Sequence, residues 1–102
     1  MSSKKRYLVV FATIFFGYRE FLSLYLIIQA NKDIFKGIFA PKKPKTILDC
    51  YAIFESNDEE RINNLAEAFR FIIDKLGHKA KNMVQVKKRL DYSKYNLIED
   101  FL

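Results

Sequence analysis

Residues Tyr7 to Phe16 carry one polar side chain, Thr13, among aliphatic and aromatic ones. A run that is apolar on both faces predicts a central strand covered on both sides. Gly17 ends it. Phe21, Leu24, Tyr25 and Ile28 then recur at helical spacing. Leu22, Leu26 and Ile27 widen that stripe, so the predicted helix is buried on more than one side and runs to about Gln29–Asn31. Asp33 to Phe39 is expected to add a further turn. Pro41 and Pro44 bracket a basic loop, Pro41-Lys42-Lys43-Pro44-Lys45, which breaks regular structure.

Thr46 to Glu55 alternates, with Leu48, Cys50, Ala52 and Phe54 on one face and Asp49, Tyr51, Ile53 and Glu55 on the other. This predicts a second strand. Ser56-Asn57-Asp58-Glu59 has the spacing of a capping box, with Ser56 as the cap. Ile62, Leu65, Ala66, Phe69, Ile72, Ile73 and Leu76 keep helical period behind it, and Gly77 follows as the residue past the helix end. Met83 to Lys88 alternates again, Val84 and Val86 against Gln85 and Lys87. Asp91 is placed to cap a short last helix in which Tyr95, Ile98 and Leu102 align, with Phe101 beside them. The order reads βαβαβα. It predicts one small α/β (α+β) sandwich of ferredoxin-like kind, residues 7–102, with helices on one face of a sheet, behind a basic tail at residues 1–6.

The chain has 102 residues, half of them hydrophobic, with only three glycines and two prolines. That excludes a disordered or collagen-like chain and supplies a core for one domain. The net charge of +6 is segregated. Met1 to Leu48 balances to +7, Asp49 to Asp74 to −5 and Lys75 to Leu102 to +4. Two basic segments thus flank an acidic one, and a polyanion could meet the first two while the third faces elsewhere. Tyr7 to Ala30 is long enough to span a membrane, but Arg19 and Glu20 sit near its middle, which favours a buried strand and helix instead. One cysteine cannot close an internal disulfide, which points to an intracellular, reducing compartment, cytoplasm or nucleus. One cysteine and one histidine cannot complete a zinc site, and neither GxxxxGK[ST] nor GxGxxG occurs, so no cofactor is expected.

His78 reads as a helix C-terminal residue, a position that favours basic side chains, Cys50 as a small hydrophobe on a strand, and Asp58, Glu59, Glu60 and Glu67 as dipole complement and solvated face. The basic cluster is the candidate site. Lys79, Lys81, Lys87, Lys88, Arg89 and Lys94 face only Asp91 over sixteen residues, and Tyr92 and Tyr95 lie close enough to stack on bases. With Lys42, Lys43 and Lys45 and the Lys4–Arg6 tail they offer a surface that could track phosphates. The bland alternative is an ordinary solvated lysine surface. No helix concentrates the charge, so a sheet platform for single-stranded or folded RNA suits the pattern better than a helix in duplex DNA.

Arg6-Tyr7-Leu8 opening a strand after a basic tail resembles the small protein subunits shared by ribonuclease P and ribonuclease MRP, the Pop five/Rpp fourteen group. So does the later run of a helix like Ile62–Leu76, a Val-rich strand like Met83–Lys88 and a short basic helix like Tyr92–Leu102. That family has a central strand for which Phe39 to Thr46 offers no clear counterpart, and a Ser-Gly-Thr turn where this chain has Lys88-Arg89-Leu90. Arg6-Tyr7-Leu8, Tyr18-Arg19-Glu20, Ser23-Leu24 and Val86-Lys87-Lys88 are also similar to the THUMP region of tRNA guanosine methyltransferases. Both resemblances imply contact with structured RNA, a tRNA precursor or a catalytic RNA, without catalysis by this chain. The other expectation is an accessory subunit of a protein assembly, holding a partner or a membrane surface through the apolar Tyr7–Ile28 region.

Overall fold

The computed structural model describes residues 5–11, 21–43 and 49–99. The apolar run after the tail forms β1 (Arg6–Phe11), and the first helical stripe forms α1 (Phe21–Ala30). A turn at residues 31–34 leads into β2 (Phe35–Pro41). Strand β3 (Tyr51–Ser56), helix α2 (Glu59–Lys75), a single helical turn α3 (Ala80–Met83) and β4 (Val84–Lys87) follow. A 3-10 turn at Tyr92–Lys94 precedes β5 (Tyr95–Glu99). The sheet order is β4-β1-β3-β2-β5, and every neighbouring pair is antiparallel. Two β-α-β units interlock: β3 lies between β1 and β2, and β1 lies between β3 and β4.

This order departs from βαβαβα at two elements. The stretch from Asp33 to Phe39 is not a helical turn but the entry to β2. Its alternation is hidden by a bulge between Phe35 and Gly37, which inserts Lys36. Gly37 takes φ +125°, a conformation that a side chain would resist. Phe35 stacks on Phe54 with ring centroids 5.1 Å apart. The second departure is the last helix. Only Tyr92–Lys94 is helical, and Tyr95 onward pairs with β2, Tyr95 opposite Pro41 and Leu97 opposite Phe39. A register shift at Ile38/Phe39 leaves Ile98 unmatched, so a bulged strand mimics helical spacing. Leu102 and Phe101 lie outside the described residues, as do the continuation of the first strand to Phe16, the Thr46–Leu48 start of the second, and Lys4 and Lys45.

Helix α2 forms where its stripe predicts, but its cap is Asp58, whose carboxylate accepts from the Arg61 amide at 3.1 Å. Ser56 is still the last residue of β3, and its hydroxyl accepts from the Asp58 amide at 3.0 Å. The C-terminus closes as a Schellman motif. The Gly77 amide donates to Asp74 at 3.0 Å and the His78 amide to Ile73 at 3.2 Å, with Gly77 at φ +84°.

The helices cover one face of the sheet. Leu8 and Val10 of β1, Ile38 of β2, Ala52 and Phe54 of β3 and Val84 of β4 meet Leu24 and Ile28 of α1 and Ile62, Ala66, Phe69 and Ile73 of α2. Cys50 packs against the edge of this cluster. The widening of the α1 stripe does not bring burial on further sides: Leu22 and Leu26 are 62% and 58% exposed.

The opposite face is apolar too. Val9 and Ile53, paired across β1 and β3, are buried without belonging to the helix-side cluster. The rings of Tyr7, Phe11, Phe39 and Tyr51 lie on the same face around them, and the segment that follows β4 packs on these rings. Tyr92 of that segment packs on Tyr7 at 6.2 Å and on Phe39 at 5.7 Å, and Tyr95 packs on Phe39 at 6.5 Å and Tyr51 at 6.4 Å. Residues 88–94 therefore strap this face from the β4 edge to the β2 edge. Among the described residues no helix is long and apolar enough to cross a membrane.

Candidate nucleic-acid interface

The strap decides where the predicted cations go. Asp91 caps its 3-10 turn, its carboxylate accepting from the Ser93 amide at 3.0 Å and the Ser93 hydroxyl at 2.6 Å. Those hydrogen bonds, with the nearby charges of Lys94 and Lys42, hold the Asp91 carboxyl below the usual carboxylate range. The Lys42 amide donates to the Lys94 carbonyl at 2.9 Å, just before β5 pairs with β2. Residues 52 positions apart are thereby fixed side by side. Lys42, Lys43 and Lys94, with Ser93, Pro41 and Tyr95, line an open pocket of about 470 Å³.

The other cations do not share that surface. Lys79 and Lys81 lie on and before α3, at the start of β4. Lys88 and Arg89 lie past its end, ~13 Å away at the rise of a four-residue strand. Lys87, within β4, sits on the strapped face opposite Tyr7. The sequence expectation of several cations sharing the flanks of one strand thus resolves into three patches. Among the described residues the ion pairs are Lys5–Glu55, Arg6–Glu59, Arg61–Asp33 and Arg70–Glu67, and none uses a cation of these patches.

Tyr92 is engaged inside the fold. Its hydroxyl donates to Glu55 at 3.0 Å, and Glu55 also pairs with Lys5 at 3.3 Å. Burial first, and then the Glu55 carboxylate, push the Tyr92 phenol well above the usual tyrosine range. Its ring holds the strap in place, and the sheet face is no open platform. Tyr95 has one side on Phe39 and Tyr51 and contributes to the lysine pocket.

Two features had no signal in the sequence. Tyr51, Asn82, Gln85, Lys87 and Tyr95 surround a small crevice of about 120 Å³ beside Val9, on the part of the face that the strap leaves open. Burial, and then Asp49, raise the Tyr51 phenol above its ordinary value. The other feature is a groove of about 570 Å³ between α1 and the first half of α2, lined by Leu26, Ile27, Ala30, Leu65 and Ala68 with Asp58, Glu60 and Arg61 at one end. Arg61 is locked to Asp33 there by hydrogen bonds of 2.7 and 2.8 Å. Among the described residues no cluster of histidine, cysteine and carboxylate side chains could hold a metal ion. No protein-family model, curated protein or solved structure gives a significant match to the chain.

Proposed function

We propose that the protein binds RNA through phosphate contacts, without catalysis of its own, as a subunit of a tRNA-processing ribonucleoprotein. The observation that carries this reading is the meeting of Lys42, Lys43 and Lys94 around one pocket, joined by a backbone hydrogen bond and without ion-pair partners among the described residues. Asp91 lies near Lys42 and Lys94 and offsets part of the repulsion among these like charges, and a polyanion would offset the rest. Lys79, Lys81, Lys87, Lys88 and Arg89 add separate basic patches at and around β4. Tyr95 is the aromatic residue bordering the pocket, and Tyr92 positions the strap that carries it. The chain order β-α-β-β-α-β over the first four strands, with β5 added beside β2, supports the ferredoxin-like reading of the fold. The resemblance of Arg6-Tyr7-Leu8 to the ribonuclease P and MRP subunits supports the choice of RNA.

Reversing Lys42, Lys43 and Lys94 together to Glu tests the reading. The slope of log affinity against log salt for a single-stranded RNA should fall by about 2, at ~0.7 per phosphate contact. Undiminished RNA retention with an unchanged slope would end the proposal.

A second reading is favoured by one observation. Leu26 of α1 lines the helical groove and is exposed, and Leu22 of α1 and Phe71 of α2 are exposed on the same layer. An accessory subunit held by this face would keep its partner at high salt, because apolar contact responds weakly to screening. Leu22→Ser with Leu26→Ser should then release the partner and leave RNA affinity unchanged.

A further inference from the structure

Tyr95 is the common wall of two cavities. On one side lies the pocket of Lys42, Lys43 and Lys94. On the other lies the crevice formed with Tyr51, Asn82, Gln85 and Lys87. The crevice, at about 120 Å³, is far too small for a drug-sized ligand and suits one small ring system. Its lining combines two aromatic rings with two carboxamides, an ammonium and the apolar side chains of Val9 and Met83. The carboxamides each present both a donor and an acceptor, the arrangement that matches the edge of a heterocycle. The aromatic rings offer a face or edge to stack against. The neighbouring pocket presents positive charge.

We propose that the two cavities together hold one nucleotide of a single-stranded RNA. The base enters the crevice between Tyr51, Tyr95, Asn82 and Gln85, and the adjoining phosphate sits against Lys42, Lys43 and Lys94. A base paired inside a duplex cannot enter, so the site selects unpaired or splayed nucleotides. The division of labour follows from the chemistry: the lysines supply sequence-independent affinity, and the carboxamides distinguish one base from another. This rests on the RNA-binding reading above and adds to it a base-reading site.

The test uses the full chain with RNA hexamers of A, of C and of U, and an RNA duplex, followed by fluorescence anisotropy over a range of salt. The three hexamers should differ in affinity by about tenfold, as one well-made set of base contacts gives, and the duplex should bind more weakly than the best hexamer. Gln85 is exposed, so Gln85→Ala is expected to fold, and it should collapse the differences among hexamers without altering the salt slope. Lys94→Gln should lower the slope by about 0.7 and leave the ranking of bases intact. Equal affinity for all three hexamers, or a ranking untouched by Gln85→Ala and Asn82→Ala, overturns the base site while the phosphate reading stands. Failure to bind any of these RNAs overturns both.

Discussion

Phe54 and Ile53 are neighbours in β3 and both are fully buried, yet different kinds of structure cover them. Phe54 lies under α2, its ring 5.6 Å from that of Phe69, within a continuous cluster fed by four strands and all three helices. Ile53 lies under aromatic rings and a short strap whose fixed point is Tyr92, tied to Glu55 and through it to Lys5. The first cover is made by a seventeen-residue amphipathic helix, and many side chains share the work. The second depends on few contacts, several of them polar. Charge divides in the same way. The helical layer carries the ion pairs of Arg6, Arg61 and Arg70, whereas among the described residues the lysines of the pocket and the cations at the β4 ends form no ion pair, Asp91 being the carboxylate near Lys42 and Lys94. One face is built for stability, and the other combines cover with exposed charge.

Truncations at these two positions probe the contrast most strongly. Phe54→Ala should cost about 3–5 kcal/mol in a urea titration, from lost transfer energy and the cavity left under α2. Ile53→Ala should cost less, about 2–3 kcal/mol, because the strap can settle onto the smaller side chain. A cost for Ile53→Ala as great as that of Phe54→Ala would show the two faces to be equally rigid. A negligible cost would show the strap to be displaced in solution.

Tyr92→Phe removes the hydrogen bond to Glu55 and keeps the ring, so about 1–2 kcal/mol should be lost near neutral pH. Its pH dependence has a definite sign. The phenol is held protonated in the folded state beyond the range in which an unfolded tyrosine ionises. Its contribution is therefore complete below about pH 10 and is lost as pH rises above that value. The stability difference between the native chain and Tyr92→Phe, followed by denaturant unfolding from about pH 8 to about pH 11, should narrow at the alkaline end. A constant difference would contradict the pairing of Tyr92 with Glu55. The smallest effect is expected on the outer surface of the helical layer, where Leu26→Gln should stay within about 0.5 kcal/mol of the native chain.

The same contrast explains what could be read from the sequence. Helix α2 was accessible because seven apolar positions keep one period without interruption, and its end because Gly77 can adopt the positive φ that the cap requires. Its start is displaced because Ser56 is claimed by β3, and Asp58, two residues beyond the strand, takes the cap. Strand β2 was hidden because Lys36 is an insertion and Gly37 presents no side chain, so the two-residue period never forms. Strand β5 was misread because the bulge at Ile98 gives Tyr95 and Ile98 the spacing of a helix. The lysines were visible one by one. Which of them meet was not, since Lys42 and Lys94 come together only through the pairing of β5 with β2, a contact between distant parts of the chain.

The strap also imposes an order on how the molecule is made. Strands β1 to β4 and both long helices are complete by Lys87, and the aliphatic core can close at that point. Tyr92 and Tyr95, which pack on the rings of the other sheet face, arrive only with residues 88–95. A ribosome adds about 5–20 residues each second, so the nascent chain presents an apolar sheet face, with the β2 edge still unpaired, for a large fraction of a second. That interval is a window for chaperone capture or edge-to-edge association. Premature termination within the strap would make the exposure permanent, and such fragments should be cleared faster than fragments that end within the helices of other, two-layered domains.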